Sequence, residues 1–118
     1  MRRIMVYGLV ALIVSGSFPF VHGTQPPQRG TDYGVEAWLS PSNPRVGDTY
    51  TLYISVYNNS SRYILFHARI AELPQGDRLY SSDSMDRSVG PGNSTTFRFD
   101  IYCGVLGGRV RYELLANW

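Results

Sequence analysis

Few side chains in this sequence are of the types that carry out catalysis. Histidine occurs only at His22 and His67, cysteine occurs only at Cys103, and the nine carboxylates are scattered from Asp32 to Glu113. No Gly-x-Ser-x-Gly element or comparable nucleophile signature accompanies His67. No pair of carboxylates has a spacing that acid–base work requires. We therefore predict a protein without catalytic residues, and a hydrolase that uses His67 is the enzymatic alternative.

Metal ligands are equally sparse. A zinc site needs about four clustered ligands, which a single His and a single Cys do not supply. Asp77, Asp83 and Asp86 share one polar segment, and their oxygens are ligands of the type that Ca²⁺ prefers. Their spacing matches no calcium-loop motif, so a solvated loop is the favoured interpretation. The sequence predicts no metal site and no cofactor.

Aromatic side chains offer the best candidate for binding. Five of them fall on the outward phases of four predicted strands: Trp38, Tyr53, Tyr57, Tyr63 and Tyr102. Rings that lie side by side on a sheet could bind a glycan or a partner protein, because Tyr and Trp are favoured at interfaces. The alternative, which the pattern favours, is cross-strand packing that only stabilises the sheet.

Two further residue types are candidates for covalent chemistry. Asn58, Asn59 and Asn93 each begin an N-glycosylation sequon within a predicted turn. Cys103 follows Ile101 in the inward phase, which favours a buried cysteine that acts as a small hydrophobe. The alternative is an intermolecular disulfide, because an odd cysteine in an exported protein lacks an intramolecular partner.

The elements that must position these residues are short strands. Side chains alternate between apolar and polar in five segments, which are Tyr33 to Leu39, Thr49 to Tyr57, Tyr63 to Ala71, Ser94 to Tyr102 and Arg109 to Leu115. The polar stretch from Glu72 to Gly90 has room for one or two edge strands. No segment has apolar residues at helical spacing. This pattern predicts an all-β protein, an immunoglobulin-like antiparallel β-sandwich of about seven strands.

The first 23 residues have the three parts of a secretory signal peptide. Arg2 and Arg3 give a positive start, Ile4 to Val14 is apolar and uncharged, and Gly23 offers a small residue before a cleavage point. An uncleaved anchor is the alternative. Residues 24–32 form an extended, proline-containing tether, and residues 33–118 form the sandwich domain.

Loss of the leader changes the charge of the protein. The full chain carries a formal charge of +2, and both excess positive charges are Arg2 and Arg3. The remaining chain has equal numbers of basic and acidic residues, whereas nucleic-acid binding asks for a clustered basic face. We therefore expect no nucleic-acid partner, contact with a membrane only through an uncleaved leader, and a secreted or cell-surface location.

Four turn-and-strand segments resemble a known family. The turn from Ser40 to Asp48 precedes the strand that ends at Asn58-Asn59-Ser60. The turn from Gly90 to Thr95 precedes the strand Phe97 to Ile101, and Gly107-Gly108 precedes the last strand. The pattern is similar to the CARDB type (cell-adhesion-related domain) of immunoglobulin-like module in bacterial and archaeal surface proteins. The resemblance covers about Tyr33 to Asn117 and implies a non-enzymatic adhesion module.

These observations together predict a non-enzymatic exported module for adhesion, structure or protein interaction at the cell surface or envelope. One alternative is a carbohydrate-binding module that uses an exposed aromatic sheet face. Another is a subunit of a surface filament or assembly. Donor-strand exchange from residues 24–31 is disfavoured because that segment is polar and contains two prolines, whereas strand-edge pairing between subunits stays open.

Overall fold

The structure is a computed structural model that describes residues 3–15, 18–21, 24–29, 32–41, 44–83, 85–104 and 108–117. Every regular element in these ranges is a β-strand. The strands are β1 (Arg3–Ser15), β2 (Phe18–Val21), β3 (Thr24–Arg29), β4 (Tyr33–Ser40), β5 (Thr49–Asn58), β6 (Ile64–Glu72), β7 (Arg78–Ser82), β8 (Asp86–Val89), β9 (Ser94–Tyr102) and β10 (Gly108–Asn117).

The ten strands form two five-stranded sheets. The first sheet has the order β2-β1-β10-β6-β8, and the second has the order β3-β4-β5-β9-β7. All neighbouring strands run antiparallel. The two sheets pack face to face, so the predicted all-β sandwich is confirmed, and β4 to β10 are the seven strands of the predicted domain.

The strand order resembles that of an immunoglobulin-like domain, with differences at the sheet edges. In such domains strands A, B, E and D form one sheet, and C, F and G form the other. The order β4-β5-β9-β7 matches A-B-E-D, and the neighbours β6 and β10 match C and F. The place beside F that strand G holds elsewhere is taken here by β1, while β8 lies on the far side of β6.

Period-two alternation builds the core between the sheets. Side chains of β5 point inward at Tyr50, Leu52, Ile54 and Val56, and each is at most 1% exposed. The same alternation holds in β6, where Phe66 is buried and its neighbours face outward. Burying apolar surface at about 25 cal/mol per Å² is the main term that stabilises such a sandwich.

The segments predicted as leader and tether are strands in this structure. Strand β1 pairs with β10 from Arg3 opposite Asn117 to Leu12 opposite Gly108, and β3 lies beside β4. The predicted cleavage point after Gly23 lies outside the described residues. In the described part of the chain, no helix has the length and apolar character to cross a membrane.

A buried polar contact fixes the start of β7. Tyr50 donates its hydroxyl hydrogen to Asp77 Oδ2 at 2.5 Å, and the backbone N–H of Gly104 donates to Asp77 Oδ1 at 2.8 Å. A side chain at Gly104 does not fit, because its Cβ would lie 2.0 Å from the Gly76 carbonyl oxygen. Strands β5, β7 and the end of β9 are therefore held together at one carboxylate.

A second buried polar residue organises the opposite end of the domain. Asn58 is fully buried, and its amide nitrogen donates to the carbonyl oxygens of Arg62 at 2.6 Å and Val89 at 2.7 Å. Its Oδ1 accepts hydrogen bonds from both the backbone N–H and the hydroxyl of Ser60. Buried polar groups need such partners, so Asn58 ties the β5–β6 turn to the end of β8.

One arginine on the edge strand β8 connects the two sheets. Arg87 of β8 belongs to the first sheet, but its Nη1 donates to Thr95 Oγ1 at 2.7 Å and to the Thr96 carbonyl at 2.8 Å, both on β9 of the second. Its guanidinium also lies 5.1 Å from the centre of the Phe97 ring. The Arg87 side chain thus joins β8 to β9 by hydrogen bonds, although these two strands belong to different sheets and do not pair.

Candidate binding surface

The outer face of the second sheet carries most of the aromatic residues singled out from the sequence. Trp38 on β4 lies directly opposite Tyr53 on β5, which in turn lies opposite Arg98 on β9. On β4 the side chains of Val35, Ala37 and Leu39 are buried in the core. Because successive side chains of a strand point to opposite faces, Trp38 points outward.

The rings of Trp38 and Tyr53 stack on each other. Their centroids are 5.3 Å apart and their planes differ by 19°. Each ring therefore turns one face toward the other ring instead of toward solvent. This is the geometry of cross-strand aromatic packing, and it differs from a flat row of coplanar rings on which a sugar could stack. The structure supports the packing interpretation for this pair.

Tyr57 and Tyr63 lie apart from that pair. Tyr57 is on the same face, opposite Gly34, and is 45% exposed. It is four residues along β5 from Tyr53, or roughly 13 Å at the rise of an antiparallel strand. Tyr63 immediately precedes β6, which belongs to the first sheet, and is 70% exposed. The five candidate rings therefore do not form one surface.

Tyr102 borders a cleft at the other end of the same face. The Arg78 guanidinium lies 5.6 Å from the centre of the Tyr102 ring, a favourable cation–π distance. The cleft has a volume of about 380 Å³ and is lined by Thr49, Arg78, Leu79, Tyr80 and Tyr102. It lies where β7 ends the sheet, next to β9.

Sequence reasoning missed Leu79 and Tyr80, which contribute the exposed apolar part of this cleft. They are 38% and 60% exposed, and every residue of β7 is exposed. The pairing of β7 with β9 shifts register between Leu79 and Ser81, and a bulge of this kind re-aims side chains at a sheet edge. The available signal was two adjacent large apolar residues in an otherwise polar segment.

A polar strip separates the stacked pair from the cleft. Asp100 Oδ1 accepts a hydrogen bond from the Thr51 hydroxyl at 2.7 Å and another from Arg98 Nε at 3.1 Å. The Asp100 carboxylate raises the pKa of the Arg98 guanidinium, chiefly through that hydrogen bond. Beside Tyr53 the face therefore carries an ion pair of Arg98 and Asp100.

The only described histidine lies away from the cleft. His67 Nδ1 is 2.6 Å from Asp86 Oδ1, and the two residues are directly opposite each other on β6 and β8 of the first sheet. The side chains are 37% and 64% exposed. This arrangement is that of a partly exposed side-chain pair across two neighbouring strands.

The three aspartates of the polar segment have separate partners. Asp77 is buried with Tyr50, Asp83 Oδ2 lies 3.2 Å from Arg87 Nη2, and Asp86 contacts His67. Among the residues that the structure describes, no three metal-binding side chains converge.

The remaining candidates differ in accessibility. Asn59 and Asn93 are exposed, whereas both amide hydrogens of Asn58 are engaged inside the fold, so a folded chain does not present Asn58 for glycosylation. Cys103 is 2% exposed and belongs to the core. Its burial supports the role of a small hydrophobe, because disulfide exchange requires access to the sulfur.

Comparison with known proteins adds no relative to this picture. No family model matches the chain, and neither a curated protein nor a solved structure matches it.

Proposed function

We propose that this chain is a non-enzymatic exported module that binds a partner protein at the cell surface or envelope through the cleft at β7. The observation that carries the proposal is the exposed Leu79–Tyr80 pair beside Arg78 and Tyr102 on an edge strand. Aromatic residues and arginine dominate the energetics of protein interfaces, and an edge strand offers unpaired backbone groups to an incoming segment.

Export and adhesion rest on the sequence. The leader-like residues 1–23 support a secreted or cell-surface location, and the CARDB-like turn pattern supports an adhesion module. The absence of a predicted catalytic constellation agrees with a binding role, and His67 lies on the opposite sheet from the cleft.

Site-specific photocrosslinking in the native host tests the proposal. A photoreactive amino acid at Tyr80 should give a discrete adduct with another surface protein, and Arg78→Ala should weaken it. The matched control is Leu65, which is 44% exposed on the first sheet and should give no such adduct. Equal adducts at both positions, or none at Tyr80, would contradict binding at β7.

A glycan is the second candidate ligand for the same cleft. Tyr80 is the most exposed ring there, and an accessible aromatic face is the feature on which sugars stack. Binding on a glycan array that disappears with Tyr80→Ala but persists with Trp38→Ala would support a carbohydrate-binding module. Retention of binding in both variants would place the glycan elsewhere on the domain.

A further inference from the structure

The edge of β10 carries an inference beyond the β7 cleft, and it rests on the proposed export. In this structure β1 covers that edge over ten residue pairs. Cleavage after Gly23 would remove β1 and β2 together. The first sheet would then consist of β10-β6-β8, with β10 at its edge and the place of strand G vacant.

Hydrogen-bond direction shows which groups that edge would expose. The Ala68 N–H donates to the Met85 carbonyl, on the β8 side of β6. Successive residues of a strand direct their N–H and C=O to alternate sides, so Arg69 and its opposite residue Glu113 bond between β6 and β10. The even-numbered residues of β10, such as Tyr112, direct their backbone N–H and C=O groups toward β1.

The side chains of those even-numbered residues also need cover. Val110, Tyr112, Leu114 and Ala116 point into the sandwich and are fully buried. An edge with a row of unpaired backbone groups above apolar side chains is a template for another strand. Loss of β1 therefore creates a site of defined direction and face.

We propose that β10 of the processed chain pairs with β10 of a second copy, antiparallel about a two-fold axis at Tyr112. The second copy's strand takes the place of strand G, and the two first sheets become one continuous six-stranded sheet. Such an interface is isologous and closed, as in most soluble homodimers.

Charge complementarity selects this register. With Tyr112 opposite its own copy, Arg111 of each chain lies opposite Glu113 of the other, and both residues are on the outward face of β10. Opposite charges in directly facing pairs stabilise a sheet, and like charges destabilise it. The symmetry supplies the favourable pair twice.

Neighbouring registers lack this match. A two-fold axis at Glu113 places the two Glu113 carboxylates opposite each other, and an axis at Arg111 places the two guanidinium groups opposite each other. A slip of one residue brings the outer face of one chain beside the core face of the other. The axis at Tyr112 avoids both penalties.

Disulfide trapping tests the register. Chains carrying Arg111→Cys and Glu113→Cys are produced together, each with its leader and a distinct tag, in an exporting host. In the proposed register the two cysteines form a non-hydrogen-bonded pair with Cα atoms about 4.5 Å apart, which suits a disulfide. Cysteines at 111 in both chains would be diagonal neighbours about 7–8 Å apart.

The expected product after mild oxidation is a mixed dimer of the two variants, with processed N-termini by mass spectrometry. Neither variant alone should cross-link appreciably, and Arg98→Cys paired with Glu113→Cys serves as the control on the other sheet. Sedimentation of the unmodified processed chain should give a dimer, which checks that the substitutions do not create the association.

Three results would overturn the proposal, and they are distinguishable. A processed chain that sediments as a monomer and gives no mixed disulfide rejects the dimer while export stands. A processed chain cross-linked to a different protein through position 113 rejects the second copy as occupant. A full-length mass shows that β1 is retained, which rejects both the exposed β10 edge and the processing on which it rests.

Discussion

Tyr50 and Asp77 are 27 residues apart in the chain and share a buried hydrogen bond of 2.5 Å. The bond is inside the domain, where neither group can turn to water. Burial, and next the hydrogen bond to Asp77, raise the pKa of the Tyr50 hydroxyl well above its usual value. The phenol therefore remains a donor to the carboxylate over the whole physiological pH range.

Removal of that donor should destabilise the domain. Tyr50→Phe keeps the ring but leaves Asp77 with one fewer donor, and an unsatisfied buried polar group costs about 1–3 kcal/mol. Urea denaturation followed by circular dichroism measures the change. Tyr57→Phe, at an exposed position, is the control and should change the free energy of unfolding by less than about 0.5 kcal/mol. Equal effects of the two variants would contradict a structural role for the bond.

Stability should fall in alkaline solution. Burial raises the pKa of Tyr112 to about 12, and that of Tyr50 is raised as well. An exposed tyrosine in the unfolded chain ionises near pH 10, so above that pH the unfolded state binds fewer protons than the folded state. The free energy of unfolding then falls by up to about 1.4 kcal/mol per pH unit for each tyrosine.

Urea midpoints between pH 9 and pH 11.5 check this dependence. The stability that the two tyrosines contribute is fully present below about pH 10 and is lost as the pH rises toward their folded pKa values. Tyr112→Phe should flatten the decline between pH 10 and 11.5, because phenylalanine does not ionise. An unchanged slope in that variant would show that other groups cause the alkaline loss.

Asn58 should be among the most sensitive polar residues. Asn58→Ala removes the donor to Arg62 and Val89 and the acceptor of two bonds from Ser60. We expect a loss of about 2–4 kcal/mol, since buried carbonyl groups are left unpaired. Asn93→Ala, in an exposed turn position, is the matched control in the same denaturation experiment. A loss below 1 kcal/mol for Asn58→Ala would show that water replaces the amide.

Arg87 should contribute more to stability than Arg69, although both arginines form short contacts. Arg69 forms a surface pair with Glu113 at 2.6 Å, with side chains 52% and 18% exposed, and such pairs contribute about 0–1 kcal/mol. Arg87 also donates to a backbone carbonyl and packs on Phe97. Arg87→Gln should therefore cost about 1–3 kcal/mol and Arg69→Gln less than 1. Thermal unfolding of both variants measures the two losses. A larger loss for Arg69→Gln than for Arg87→Gln would reject the role of Arg87 as a bridge between the sheets.

The stacking of Trp38 on Tyr53 should be measurable as a coupling energy. In a double-mutant cycle with Trp38→Leu and Tyr53→Leu, we expect a coupling of about 0.5–1.5 kcal/mol. A coupling near zero would mean that the two rings do not depend on each other for stability. That result would favour a ligand-binding role for this pair over packing.

Local pattern predicted the strands, their faces and the core, whereas long-range relationships escaped it. The alternation through Tyr50 and Val56 identified β5 and its inward face correctly. It did not show that Tyr63 and Tyr53 belong to different sheets, because a strand's own residues do not specify its neighbours. Likewise, nothing near Asp77 in the sequence indicated burial, which depends on Tyr50.

The cleft was hidden for a related reason. Its shape depends on the register shift beside Tyr80, and a polar five-residue edge strand carries too little alternation to define register. The role of β1 could not be predicted either, since the apolar run from Ile4 to Val14 satisfies the requirements of a leader and of a paired strand alike. Both cases involve a sequence pattern that is compatible with two environments.

The pairing of β10 with β6 also has a consequence for the timing of folding. Strand β5 pairs with β9, and β6 pairs with β10, which ends at Asn117. Neither pairing can form before its later strand has been synthesised, and distant pairings of this kind form slowly because long loops must close first. A nascent chain that stops short of β10 therefore leaves one edge of β6 unpaired, and its first sheet stays incomplete.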